Sequence, residues 1–71
     1  MTKYLIVVEK TATGYSAFSP DLLGCVATGA TRDDVEKTMR ETVQFHLDGL
    51  REEGLDVPAP HRYSTYCELP V

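Results

Sequence analysis

The first thirty residues alternate between apolar runs and short polar loops, a pattern that predicts three short strands. The run from Tyr4 to Val8 is aromatic and aliphatic throughout, and such side chains favour a strand because they crowd a helix. Small polar residues and a glycine at 10–14 suit a hairpin loop, and the Pro-Asp step and glycine within 20–24 suit a second turn. We predict an antiparallel meander with strands at residues 3–9, 15–19 and 25–29.

A long amphipathic helix is predicted after the strands. Thr31 has the side chain of a helix N-cap, and Asp33 and Asp34 place negative charge at the positive end of the helix dipole. Gly54 suits the position just past a helix end, so we expect the helix over residues 32–53. Charged residues fall mainly on one side of it, and the other side carries an apolar stripe of Val35, Met39, Val43, Leu47 and Leu50.

The remaining residues predict one more strand. Two prolines extend the connector "LDVPAP", and "RYSTYCEL", residues 62–69, has the alternation and aromatic content of a strand. A crossover through a helix normally returns parallel to an existing strand. The predicted fold class is therefore α+β, with order βββαβ and a four-stranded mixed sheet that carries one long helix on one face.

Such a fold leaves one apolar face of the sheet uncovered. One helix with one apolar stripe covers a single face, whereas the first strand is apolar on both sides. The residues of the first strand that the helix leaves uncovered are either Leu5 and Val7 or Tyr4, Ile6 and Val8. Contiguous apolar surface usually marks an interface, so we predict a homo-oligomer or another protein partner. The alternative is a small patch covered by the connector.

Composition and charge narrow the class of protein. The 71 residues, 42% of them hydrophobic, suit one small domain over residues 1–71. A net charge of −4 repels a phosphate backbone, so we expect a basic partner and no direct nucleic-acid binding. The longest apolar run falls far short of the roughly 20 residues that cross a bilayer, and no signal-peptide pattern precedes it. We therefore expect no membrane association, a cytoplasmic location and reduced cysteines.

The candidates for catalysis are few. Asp21, Cys25 and His46 are the residue types of a nucleophile and base, but their spacing is not diagnostic. Asp21 is better explained as a turn residue that accepts backbone N–H bonds, and Cys25 as a small packed side chain. Neither a metal-ligand spacing nor a phosphate-binding glycine pattern is present. We expect no catalytic residue, no metal and no cofactor; a small enzyme or ligand-binding domain that uses the corner from Asp21 to Cys25 is the alternative.

The stretch "FSPDLLGCVATGAT", followed by an acidic helix ending near "LDGLREEG" and a "VPAP" exit, resembles the HicB family of bacterial antitoxins. The resemblance runs from Tyr4 into the last predicted strand. Leu23 departs from it, because the family often has proline there. We expect Phe18 to lie in the core. The residues that carry the resemblance, which we interpret as a structural family signature, are Phe18, Pro20, Asp21, Leu22, Gly24, Cys25, Gly29 and Thr31.

The resemblance implies a fold and a role. It implies a reduced ribonuclease H-like sheet, in agreement with the predicted βββαβ order. It also implies that the protein binds and occludes a HicA-type toxin, a small, basic, RNA-cleaving protein. Typical HicB proteins continue into a DNA-binding module, whereas this sequence stops at Val71. We therefore do not extend to this protein the family's regulation of its own genes through DNA binding.

Overall fold

A computed structural model describes residues 2–71, in which three strands precede one long helix. The strands pair antiparallel in the order β1-β2-β3, and the helix follows β3 after a short turn. This confirms an α+β fold with an antiparallel meander and a long helix. The elements are β1 (Val7–Lys10), β2 (Tyr15–Phe18), β3 (Val26–Gly29) and α1 (Arg32–Glu52).

The strand register decides which face of the sheet the helix covers. Val8, Ala17 and Ala27 lie opposite one another across the three strands, and both alanines are buried. Small side chains at this central row let the helix approach the sheet closely. Tyr4, Ile6 and Val8 pack against the core, so the helix covers their face of β1. The set that faces away from the helix is therefore the pair Leu5 and Val7.

The core forms between the helix stripe and the covered face of the sheet. Val35, Met39 and Leu47 are buried, and Val43 and Leu50 pack against them at the margin, which confirms the predicted stripe. The helix lies chiefly over β3 and β2 and reaches β1 least. The other buried apolar residues are Ala17, Leu22, Cys25 and Ala27.

Both ends of α1 follow the local signals in the sequence. The Thr31 hydroxyl accepts a hydrogen bond from the Asp34 backbone N–H at 3.1 Å, which satisfies one of the N–H groups left free at a helix start. At the other end Gly54 adopts a φ of 72°, a left-handed conformation that glycine takes without strain. The helix ends at Glu52, one residue before the predicted end.

The predicted fourth strand at residues 62–69 is wrong, and so is the mixed four-stranded sheet, since the described residues form a three-stranded sheet. A strand needs a partner for its backbone N–H and C=O groups, yet residues 61–71 are all exposed. Arg62 is held at the end of the sheet, where it donates hydrogen bonds to the Pro20 carbonyl and to the Asp21 carboxylate. Residues 63–71, here called the tail, leave the sheet from that point.

The first strand is also shorter at its beginning than the predicted 3–9. Its partner β2 ends at Phe18, which lies opposite Val7, so residues 3–6 run past the last paired position. The strands predicted at 15–19 and 25–29 each lose one residue to the turn between them. Ser19 donates its backbone N–H to the Cys25 carbonyl at 3.3 Å there, which closes the turn.

Candidate protein-binding surfaces

The corner between β2 and β3, residues 19–25, is a closed turn. The Leu22 N–H donates to the Ser19 carbonyl and the Cys25 N–H donates to the Leu22 carbonyl, both at 3.2 Å. Gly24 has a φ of 83°, a left-handed conformation that completes the reversal. Leu22 is 1% exposed, so its side chain covers one end of the core.

Asp21 is held by a residue that lies far away in the sequence. Its Oδ1 accepts a hydrogen bond from Arg62 Nη1 at 2.6 Å and lies 3.5 Å from His61 Nε2, and its side chain is fully buried. An ion pair compensates the cost of burying a carboxylate. Within residues 2–71, Asp21 Oδ2 and Ser19 Oγ are buried without a hydrogen-bond partner. Asp21 therefore fastens the chain after the helix to the turn, and the expectation that its carboxylate accepts backbone N–H bonds of its own turn is wrong.

The other residues considered for catalysis are not assembled into a reactive group. Cys25 is 2% exposed, and desolvation by burial raises the pKa of its thiol, which disfavours the reactive thiolate. His46 is half-buried on the helix, and no hydrogen bond among residues 2–71 joins it to Cys25. Cys67 is a free, exposed thiol on the tail. Across all described residues, 2–71, His, Cys, Asp and Glu side chains form no group of three that would hold a metal ion.

The remaining signature residues occupy structural positions, with one exception. Gly29 lies against the helix backbone at Val35, and Thr31 caps the helix. Pro20 is half-buried in the turn. The expectation that Phe18 lies in the core is wrong, because Ala17 takes the inward position and the alternation of the strand turns Phe18 outward, where it is 39% exposed. That the eight residues together mark a family stays a prediction.

The face of the sheet opposite the helix presents an apolar row. Val7, Phe18 and Val26 are cross-strand neighbours on this face, and Leu5 continues the row beyond the end of β2. Val26 is 64% exposed, whereas Leu5 and Val7 are half-buried. These four residues, here called the open sheet face, confirm the expectation that the helix leaves one apolar face uncovered.

The solvent side of the helix carries an exposed aromatic residue among carboxylates. Phe45 is 82% exposed, and positions four before, three after and seven after it hold Glu41, Asp48 and Glu52. Residues at such spacing share one side of a helix. The outer stripe is defined as Asp34, Glu41, Phe45, Asp48 and Glu52. Sequence reasoning identified the charged side but missed Phe45, whose signal was a large apolar residue outside the core stripe.

An open groove lies between β1 and the helix. Its apolar wall is formed by Tyr4, Ile6 and Val8 on one side and by Val43 and Leu47 on the other, and these five residues define the β1 groove. The groove exists because the helix lies over β2 and β3 and leaves the edge strand partly uncovered. Its rim carries the charged residues Lys3, Glu36, Arg40 and Arg51.

Across residues 2–71, the structure contains no helix that is both long enough and apolar enough to span a membrane. The fold and these surfaces together define a small α+β domain in which a three-stranded meander is backed by one acidic helix. A family model described as the HicB-like antitoxin of bacterial toxin-antitoxin systems matches residues 4–70. The chain belongs to this HicB-like antitoxin family.

Individual relatives agree with this assignment. A 14.9 kDa protein from the rep-hol intergenic region of Haemophilus phage HP1 is 30% identical over 67 residues, which are 94% of this chain and 50% of the phage protein. A UPF0150 protein of Helicobacter pylori strain J99 is 35% identical over 49 residues, 69% of this chain and 68% of that protein. The chain thus spans about half the length of the phage relative.

A solved structure supports both the fold and the family. A chain of the HicA3 and HicB3 toxin-antitoxin complex matches with a TM-score of 0.71 and 33% sequence identity, covering 84% of this chain and 70% of that chain. The three antiparallel strands and the long helix are therefore a HicB-like fold.

Proposed function

We propose that this protein is an antitoxin that binds a HicA-type, RNA-cleaving toxin and keeps it inactive by covering it. The observation that carries the proposal is the outer stripe, where the exposed aromatic side chain of Phe45 is flanked by Glu41 and Asp48. Aromatic residues are enriched among the side chains that dominate binding energy, and complementary charge steers a basic partner to an acidic surface. The match to a chain of a HicA3 and HicB3 complex supports the same kind of partner.

Covering the toxin requires no chemistry from this chain. Cys25 is buried as a thiol and Asp21 is engaged by Arg62, so the corner that suggested an enzyme supplies structure in this proposal. We propose a single HicB-like domain over residues 1–71 that acts in the cytoplasm, where its RNA-cleaving partner would act. The net charge of −4 favours a basic protein over direct contact with nucleic acid.

The test is binding and inhibition by the intact protein. A purified HicA-type toxin, either the product of an adjacent gene or HicA3, is titrated with the protein by calorimetry, and RNA cleavage is measured in parallel. We expect a stable complex and loss of cleavage. Absence of both binding and inhibition with these toxins would contradict the proposal.

Substitutions in the same assay locate the toxin-binding surface. Phe45→Ala is expected to weaken binding by about tenfold or more, because truncating a central aromatic contact typically costs over 1 kcal/mol. Val26→Thr, an exposed change on the open sheet face, is the matched control and is expected to leave affinity unchanged. Loss of binding with Val26→Thr but not with Phe45→Ala would assign the toxin to the sheet instead.

We also propose that the chain forms a homo-oligomer. The open sheet face supports this, since Phe18 and Val26 expose contiguous apolar surface on a domain too small to bury a large core. Sedimentation analysis is expected to give a mass above the 7.9 kDa of one chain. A strict monomer at every concentration tested would overturn this part of the proposal.

A further inference from the structure

We propose that two copies of this chain exchange their tails, each tail adding a strand to the β1 edge of the other copy and filling the other copy's β1 groove. The inference rests on the proposed self-association and names its route. It does not depend on the identity of any toxin.

The tail has the sequence of a strand but pairs with no strand among residues 2–71. Tyr63 and Tyr66 are 86% and 94% exposed, and Leu69 is 66% exposed. In a paired strand, alternate side chains face opposite ways, so one side of residues 62–69 would present Tyr63, Thr65, Cys67 and Leu69. Three of these four residues suit an apolar environment, which makes this side the complement of an apolar groove.

The β1 edge offers the missing partner. β1 pairs only with β2 in the described sheet, so the backbone groups along its other side are unpaired, and an unpaired edge is a template for another strand. The β1 groove lies beside this edge. A strand added there would set its apolar side against Ile6 and Val43 and its other side, including Tyr66, beside Leu5 and Val7.

The path of the chain directs the tail outward. The Tyr4 hydroxyl donates a hydrogen bond to the Pro58 carbonyl, and Arg62 is fixed to the turn by Asp21. These contacts hold the chain at the end of the sheet up to residue 62. The longest extent of the molecule, 49 Å, exceeds the length of about 31 Å that a 21-residue helix spans, as expected when a tail projects from the domain.

Charge favours a second copy over a basic toxin as the occupant of the groove. The rim carries Lys3, Arg40 and Arg51 against a single carboxylate, Glu36, and Arg51 also lies 3.5 Å from Asp48. This positive rim would repel a basic protein. A second copy of this chain carries a net charge of −4, which has the complementary sign.

The area buried by exchange suits a stable dimer. Four tyrosines from two tails would bury about 600–1,000 Å², and the grooves and edges that they cover would bury a comparable area. The total buried area then falls in the range of a typical specific interface, about 1,200–2,000 Å². Reciprocal exchange also removes the exposed β1 edge of both copies.

The experiment uses the full chain. A mixture of isotope-labelled and unlabelled copies is studied by NMR with filters that select contacts between copies, and the mass is measured by sedimentation. We expect twice the mass of one chain and intermolecular contacts from the Leu69 methyl groups to Ile6 and Val43. Contacts within one chain, or a tail with random-coil chemical shifts, would overturn the exchange.

A pair of tail variants provides the control. Leu69→Ser is expected to weaken the dimer by about tenfold or more, because each copy loses a buried leucine. Val71→Ser changes another exposed apolar residue of the tail, one that lies beyond Pro70, where a strand ladder ends, and is expected to leave the dimer unchanged. A dimer that withstands Leu69→Ser, with the helix signal in circular dichroism intact, would overturn the exchange while leaving self-association through another surface in place.

Discussion

Gly29 is the residue at which β3 and the helix come closest. A Cβ atom there would lie 2.7 Å from the Val35 backbone nitrogen, a distance that real Cβ atoms essentially never show, and 3.0 Å from the Val35 Cα, which is also tight. Backbone atoms in the first turn of a helix cannot swing aside as a flexible side chain does. The turn between strand and helix therefore requires glycine because of space, and not because of a left-handed φ.

Replacing this glycine gives a prediction with a built-in control. Gly29→Ala is expected to lower the free energy of unfolding by about 1–3 kcal/mol, because the helix must shift away from the sheet. Gly49→Ala, in the helix with open space around the new Cβ, is expected to raise it by about 0.5–1 kcal/mol, because alanine orders more readily in a helix. Urea unfolding measures both, and a Gly29→Ala protein as stable as Gly49→Ala would contradict the packing described.

Single residues also show where prediction from sequence ends. The caps and the core stripe depend on neighbours within a few positions, so Thr31 and Val35 were placed correctly. Asp21 and Arg62 are 41 positions apart, and no local pattern links them. Phe18 was misplaced because an alternating strand does not say which of its sides is the inner one until its neighbours in the sheet are known.

At the scale of elements, the helix depends on its N-cap. Thr31→Ala removes the acceptor for the Asp34 N–H, and we expect a loss of about 1 kcal/mol in the free energy of unfolding. Thr38→Ala makes the same chemical change at an exposed position inside the helix and is expected to be neutral or stabilising by a few tenths of a kcal/mol. Thermal or urea unfolding compares them, and equal stability of the two variants would show that the cap contributes little.

Local sequence predicted the three observed strands, but it could not show whether the segment 62–69 pairs with another strand. β2 and β3 are joined by a short turn, so each finds its partner locally, and all three observed strands were expected. The segment 62–69 has strand character, but whether it pairs depends on an edge that its own sequence does not specify. Strand propensity therefore identified the segment and overstated its pairing within one chain.

At the scale of the whole molecule, negative charge is concentrated on the helix. Seven of the eleven acidic residues lie within 32–53, against four of the seven basic ones. A surface charged in this way attracts an oppositely charged partner through solution before contact, and dissolved salt screens that attraction.

The salt dependence of the rates therefore separates electrostatic steering from the direct contact that is proposed between Phe45 and the toxin. Raising the sodium chloride concentration is expected to slow association with a HicA-type toxin by roughly tenfold or more while changing dissociation little, because steering acts on the encounter. Phe45→Ala is expected to show the opposite pattern, with faster dissociation. Stopped-flow fluorescence measures both rates, and association that is insensitive to salt would remove the electrostatic argument.

The sequential order of β1, β2, β3 and α1 has a consequence for how the protein forms during synthesis. Each element packs against one that precedes it by a short stretch of chain. The segment after the helix adds long-range ties, among them the packing of Val57 against the core, the bond between Tyr4 and Pro58, and the contacts of His61 and Arg62 with the β2–β3 turn. Folds with such local contacts assemble quickly, and a nascent chain acquires structure from its N-terminal side. The tail is synthesised after the elements of this fold and adds no strand to them in the described sheet, so the sheet and helix can form without it and offer their edges to the tails of neighbouring chains on the same polysome.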